Sequence, residues 1–183
     1  MILLAGLGVF VIILLLYLWS IYNGLIRKKN EVQNSWAQID VQLKRRTDLI
    51  PNLIASVKGY MKHERELLTE ITKARTSFMK ANTVAEKAKA SGILSGALKS
   101  LFAVSERYPN LKANENFLQL QEELSGTENK IAYARQHYND VVMNFNTSIQ
   151  VFPNSFFARR MGFTNKEMFE VAESDKKLVK VQF

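Results

Sequence analysis

The two histidines are the residues best suited to metal chemistry, but the pattern around each one falls short of a site. His63-Glu64 begins like the zinc motif H-E-x-x-H, yet Leu67 stands where the second histidine is required. A catalytic zinc needs three protein ligands. Helical bundles also build metal sites from Glu-x-x-His pairs, and neither His63 nor His137 has a glutamate three residues before it. We therefore expect no metal and no other cofactor.

Other reactive patterns are also missing from the sequence. It contains no G-x-S-x-G, P-loop or G-x-G-x-x-G pattern, and no cysteine that could form a disulfide or act as a nucleophile. The net charge of +8 suits nucleic acid or an anionic membrane surface. However, the basic residues are interspersed with acidic ones and form no stripe with stacking aromatic residues. The sequence thus predicts a protein that is not an enzyme and does not bind nucleic acid.

Four charged residues stand at heptad positions that are otherwise apolar. They are Arg46, Glu64, Glu128 and Arg135. Such residues often fix the register and the partner of packed helices at some cost in stability. The alternative is a charged functional site inside the bundle.

The elements that position these residues begin with an uncharged N-terminal segment. Residues 1–26 carry no charged side chain, and the apolar run from Ile2 to Tyr22 is about 31 Å of helix, close to the thickness of a bilayer core. Basic residues follow the run and none precedes it, so the positive-inside rule puts the N-terminus outside and the remainder in the cytoplasm. The candidate anchor residues are Ile2, Leu16, Tyr17, Trp19, Tyr22, Arg27, Lys28 and Lys29.

Residues 27–183 are expected to form one helical domain after the anchor of residues 1–26. Apolar residues recur there with a period of about 3.5, as in coiled coils and other long packed helices. The predicted helices cover residues about 30–80, 83–108, 114–152, 155–161 and 165–173. Pro51 should cause a kink or a short break in the first helix near Asp48–Ile50, and Thr83 with Glu86 forms a capping-box pattern before the second. The fold class is all-α: an N-terminal transmembrane helix followed by an elongated antiparallel up-and-down helical bundle.

Two surfaces of this bundle are candidates for interactions. The second helix is about half as long as the first, so Trp36, Ile39 and Leu43 should lie beyond its reach and pair with another copy of the chain. The C-terminal segment interleaves aromatic and basic residues, which indicates either a cap over the bundle end or an amphipathic contact with anionic lipid or a partner. Its candidate residues are Phe156, Phe157, Arg159, Arg160 and Phe163.

Several motifs follow one another in an order typical of a known family. They are Tyr22-Asn23 before Arg27, Trp36, Ile39-Asp40, Leu43 to Arg46, Asp48 to Leu53, Glu106 to Ala113, Leu120 to Leu124, Ala134 to Asn139, Asn146, Phe152-Pro153 and Gly162-Phe163. This set resembles the LemA family over nearly the whole chain. The resemblance implies a bacterial, single-pass protein of the cytoplasmic membrane, with the N-terminus outside, a helical bundle inside and no generally established activity. Gene neighbours in the family suggest HtpX-like membrane proteases or TPM-domain proteins as partners.

We therefore expect a non-enzymatic, membrane-anchored helical scaffold or adaptor that self-associates, binds a membrane protein, or does both. The alternative is an accessory subunit of an integral membrane quality-control protease, in which the bundle controls substrate access or assembly. A sensor or signalling role is a third interpretation, for which the sequence offers no ligand-binding motif.

Overall fold

The computed structural model describes residues 2–170, and all regular secondary structure in that range is helical. The helices are α1 (Ile2–Lys58), α2 (Arg65–Lys80), α3 (Val84–Ser105), α4 (Pro109–Lys112), α5 (Glu115–Gln150) and α6 (Asn154–Arg160). The described residues fall into two compact units. Unit 1 combines the chain up to Ala37 with His137–Glu167, and unit 2 combines Gln38–Gln136 with the residues from Met168 onward.

Helix α1 contains the apolar segment and continues without interruption into the basic residues that follow it. It includes an 18-residue window with a mean hydropathy of 2.5, and none of that window is buried by the rest of the described protein. By length and composition, α1 is the one helix among residues 2–170 able to cross a membrane.

Of the kink or short break predicted near Asp48–Ile50, the break is wrong, because α1 continues through Pro51 and ends at Lys58. Proline has no N–H to donate to the carbonyl four residues earlier. Here Arg75 on α2 supplies the missing donor, since its Nε lies 3.1 Å from the carbonyl oxygen of Thr47. The predicted helix over about 30–80 is therefore two helices, separated by a turn over residues 59–64.

In unit 2, α2 and α3 pack as a hairpin against the second half of α1. The predicted capping box is confirmed: Thr83 Oγ1 accepts from the N–H of Glu86, and the Glu86 carboxylate accepts from the N–H of Thr83. The core contains apolar residues of every helix in this unit. It comprises Ile50, Leu53, Val57, Met61, Ile71, Ala74, Leu94, Ala97, Leu98, Leu101, Leu111, Phe117 and Leu124.

Helix α5 runs antiparallel to α1. In unit 2, Arg46 is paired with Glu128, and Tyr60 accepts a hydrogen bond from Asn114. Tyr60 follows Arg46 by about four helical turns, and Asn114 precedes Glu128 by the same interval, so the two segments run in opposite directions. In unit 1, Trp36 of α1 and Tyr138 of α5 pack with ring centroids 5.4 Å apart. The same register therefore relates α1 and α5 within each unit.

In unit 1, the chain after α6 returns along α5 without forming a helix. Gly162 has φ of +72°, and the N–H groups of Phe163 and Gly162 donate to the carbonyls of Ala158 and Arg159, as in a Schellman motif. The short helix predicted over 165–173 is wrong for residues 165–170, which are not helical, while residues 171–173 lie outside the described range. The backbone there is held instead by side chains of α5.

Candidate functional site

A fully buried arginine lies at the centre of unit 2. Arg46 Nη1 donates to Glu128 Oε2 over 2.6 Å and to Ser95 Oγ over 2.8 Å, while its Nη2 donates to Ser91 Oγ over 2.8 Å. Ser95 Oγ in turn donates to Glu128 Oε1 over 2.8 Å. Because the arginine side chain is 0% exposed and that of Glu128 is 42% exposed, the network links the interior to the surface of α5.

Two buried polar atoms beside this network make no hydrogen bond within residues 2–170. They are Arg46 Nε and Gln42 Oε1, one turn apart on α1. Gln42 also lines a surface groove between α1 and α5 that encloses about 560 Å³. Gln42 therefore borders the groove while its Oε1 atom stays buried, one turn of α1 from the buried Arg46.

We call this surface the α1–α5 groove. It is lined by Gln38, Val41, Gln42, Asn129, Lys130, Tyr133 and Ala134, none of them acidic. Val41 is 62% exposed and Tyr133 is 77% exposed, so two large apolar side chains border it. The arrangement matches grooves that accept an amphipathic helix, in which apolar contacts are flanked by amide and charged groups.

The prediction that Trp36, Ile39 and Leu43 lack partners in their own chain is wrong. In unit 1 Trp36 packs against Tyr138, and in unit 2 Ile39 and Leu43 are both 0% exposed. Helix α5 is 36 residues long and runs along α1, so residues beyond the length of α3 still have a partner helix in the same chain.

The four charged residues predicted at heptad positions have three different environments. Arg46 and Glu128 meet in the network. Glu64 lies in the turn before α2, where Tyr108 Oη donates to its carboxylate over 3.3 Å and Arg107 lies 3.6 Å away. Arg135 is half-buried on α5.

The surroundings of two tyrosines and one glutamate shift their pKa values. Burial and the neighbouring Glu64 carboxylate raise the pKa of Tyr108. Burial and the charge of Glu167 raise the pKa of Tyr138. The backbone N–H groups of Asn82 and Thr83 lower the pKa of Glu86 by stabilising its carboxylate.

Sequence reasoning missed several polar residues that build the units. Lys87 forms an ion pair with Asp40 and so links α3 to α1 in unit 2. In unit 1, Asn146 accepts from the N–H of Lys166 over 2.8 Å and donates to its carbonyl over 2.9 Å, while Tyr138 Oη donates to the carbonyl of Glu167 over 2.8 Å. These contacts join residues 20 or more positions apart, which a periodicity argument does not detect.

The candidate residues of the C-terminal segment fall into two groups. Phe163 packs edge-on against Phe145 with centroids 6.3 Å apart, and Phe157 is half-buried, so both belong to a cap on α5. Phe156, Arg159 and Arg160 are exposed.

The candidate anchor side chains are placed on the first half of α1. Leu16, Tyr17, Trp19, Tyr22 and Arg27 are exposed, and Lys28 and Lys29 are half-buried. Among the described residues, no group of three or more His, Cys, Asp or Glu side chains is placed to share a metal ion.

Comparisons with known proteins agree with the motifs. Residues 35–183 match the model of the LemA family. The protein LemA of Metamycoplasma hominis is 31% identical over 159 residues, which cover 84% of this chain and 71% of that protein. The magnetosome proteins MamQ 2 of Paramagnetospirillum magneticum and MamQ of Magnetospirillum gryphiswaldense are 22% and 21% identical to this chain. Each match covers 81% of this chain and 64% of the relative, so the chain spans less than two thirds of these magnetosome proteins.

Proposed function

Because this chain belongs to the LemA family, we propose that it is a non-enzymatic, membrane-anchored adaptor whose α1–α5 groove binds a helix of another protein. The observation that carries the proposal is the exposure of Val41 and Tyr133 on either side of that groove. Large apolar side chains that border a concave surface gain free energy when a partner covers them. The Lys130 ammonium adds a polar contact that orients the partner.

The partner that fits the groove is an amphipathic helix with an apolar stripe and acidic or amide residues beside it. No acidic residue lines the groove, and Lys130 gives it positive charge. The proposed source of this helix is either a second copy of this chain or a membrane protein such as an HtpX-like protease or a TPM-domain protein. In the second case the adaptor acts as an accessory subunit of a quality-control protease.

The proposed location is a bacterial cytoplasmic membrane, with a single pass, the N-terminus outside and the helical units in the cytoplasm. The basic residues after the apolar run support this orientation. Since the chain has no cysteine, Met143→Cys on the exposed surface of α5 provides a single reporter. We expect an impermeant thiol reagent to label it only after cells are permeabilised, and labelling of intact cells would contradict the orientation.

A photo-cross-linking amino acid placed at Val41 or at Tyr133 tests the groove in intact membranes. The matched control is Ile93 on α3, which is 49% exposed and does not line the groove. We expect one dominant adduct from both groove positions and none from Ile93. An adduct between two copies identifies a self-associating scaffold, and an adduct with one membrane protein identifies an adaptor.

The adduct must also depend on the groove surface. Gln38→Glu places a negative charge in the groove without altering the core, so it should reduce the adduct formed at Tyr133. Equal cross-linking from Val41, Tyr133 and Ile93, or no adduct from either groove position, would overturn the proposal.

A further inference from the structure

In unit 1, the turn from α5 into α6 exposes aromatic side chains beside two arginines. Phe152 is 88% exposed and Phe156 is 69% exposed. Ser155, Phe156, Arg159 and Arg160 line a recess of about 530 Å³. Two phenylalanines held in water next to cationic groups are typical of a surface that binds a ligand or a membrane.

Three exposed residues lie on one side of α6. Phe156 precedes Arg159 and Arg160 by three and four residues, a spacing that brings helical side chains together, and the exposed Phe152 stands in the turn just before the helix. Ala158, which is 1% exposed, points the opposite side of α6 into unit 1. We call Phe152, Phe156, Arg159 and Arg160 the α6 patch.

The antiparallel register of unit 1 fixes the level of this patch along α1. Trp36 and Tyr138 are in contact. Gly24 precedes Trp36 by twelve residues on α1, and Gln150, the last residue of α5, follows Tyr138 by the same number. Because α1 and α5 are antiparallel, both segments advance about 18 Å in the same direction. The end of α5 therefore lies at the level of Gly24, close to the end of the apolar run at Tyr22, and Phe152 follows Gln150 by two residues in the turn.

The charge around the patch is of one sign. No aspartate or glutamate occurs between Asp140 and Glu167, and none occurs before Glu31. The basic residues of unit 1 near this level are Arg27, Lys28 and Lys29 on α1, the two arginines of α6, and Lys166 after it. A positive surface at the end of an apolar span favours the anionic lipid of the adjacent leaflet.

We infer that the α6 patch docks on anionic phospholipid of the same bilayer that α1 crosses. Phe152 and Phe156 enter the boundary between headgroups and acyl chains, where aromatic side chains bury apolar area. The guanidinium groups of Arg159 and Arg160 bind lipid phosphates, which they contact with paired N–H donors. The inference rests on the membrane anchoring in the proposed function but not on the groove.

The test uses the full-length protein in nanodiscs of phosphatidylcholine with or without phosphatidylglycerol. An environment-sensitive dye is attached to a single cysteine at Val151, beside the patch, or at Met143, eight residues earlier on α5. These positions are 47% and 50% exposed, so they are matched. A third cysteine at Leu14, near the middle of the apolar run, reports on the anchor itself and is read with lipids that carry the nitroxide deep in the acyl chain.

We expect lipids with a nitroxide near the headgroup to quench the dye at position 151 strongly and the dye at position 143 weakly. Phe152→Ser/Phe156→Ser should lower quenching at 151 to the level at 143. Arg159→Gln/Arg160→Gln should weaken the dependence on phosphatidylglycerol by about fivefold per arginine, equivalent to about 1 kcal/mol each. Arg65→Gln/Lys73→Gln on α2 removes the same charge in unit 2 and should behave like the wild type.

The outcomes separate the patch from the anchor. Quenching at 14 without quenching at 151 would overturn the docking of the patch and leave the anchor in place. Quenching at neither position would overturn both. Quenching at 151 that does not respond to phosphatidylglycerol or to the arginine variants would overturn the role of lipid phosphates.

Discussion

Arg75 on α2 donates a hydrogen bond from Nε to the backbone carbonyl of Thr47 on α1, over 3.1 Å. That carbonyl is the one left without a helical donor by Pro51, four residues later. Thr47 is 3% exposed, so water cannot easily replace the donor. The side chain of Arg75 therefore allows a proline to remain inside a long helix.

We predict that Arg75→Met destabilises the protein by about 1–2 kcal/mol, because it leaves a buried carbonyl without a partner. In a Pro51→Ala background the same change should cost about 1 kcal/mol less, since the introduced alanine has an N–H that can bond to the Thr47 carbonyl. Thermal unfolding of the detergent-solubilised full-length protein, followed by circular dichroism, measures all four proteins of the cycle. Lys73→Met, on the exposed side of α2, is the control, and additive effects of Arg75→Met and Pro51→Ala would contradict the explanation.

The buried network of unit 2 predicts unequal effects for two glutamates of α5. Glu128→Gln keeps the shape of the side chain but leaves the Arg46 charge without its partner, and we expect a loss of about 1–3 kcal/mol in the free energy of unfolding. Glu123→Gln removes an exposed pair with Arg45 at 3.5 Å and should change stability by less than about 1 kcal/mol. Thermal unfolding measures both variants, and equal effects would show that Arg46 does not need its counter-charge.

Local signals in the sequence predicted local structure correctly, as the capping box of Thr83 and Glu86 illustrates. A break at Pro51 was predicted wrongly because the compensating donor, Arg75, lies 28 residues from Thr47. Likewise, the burial of Ile39 and Leu43 depends on which helices return along α1, and heptad spacing does not specify that. The heptad pattern identified Arg46 and Glu128 as charged residues at apolar positions. Only the fold shows that the two form an ion pair.

The side chain of Asn146 predicts how the C-terminal segment is held in unit 1. It makes two hydrogen bonds to the backbone of Lys166, so Asn146→Ala should release this segment from α5. We expect amide exchange at residues 163–170 to accelerate by about tenfold or more, because each lost bond weakens local protection by about 1 kcal/mol. Hydrogen exchange with mass spectrometry measures this rate.

The control for Asn146→Ala is Gln150→Ala on the same helix. Gln150 makes one exposed hydrogen bond to the Asn165 side chain, over 3.2 Å, and its loss should leave exchange in the segment nearly unchanged. If both variants exchange like the wild type, apolar contacts such as Phe145 with Phe163 hold the segment without Asn146.

The raised pKa of Tyr138 predicts a loss of stability in alkaline solution. Burial and the charge of Glu167 favour the neutral phenol in the folded protein, so the folded pKa lies above the ordinary value of 10.0. The corresponding stability is fully present below pH 10.0 and is lost as the pH rises through the folded pKa. Ionisation would also remove the proton that Tyr138 donates to the Glu167 carbonyl.

Tyr138→Phe should therefore be less stable at neutral pH but lose less additional stability above pH 10.0 than the wild type does. Thermal unfolding across this pH range measures the difference, with exposed Tyr133→Phe as the matched control, and parallel pH profiles for wild type and Tyr138→Phe would contradict the prediction.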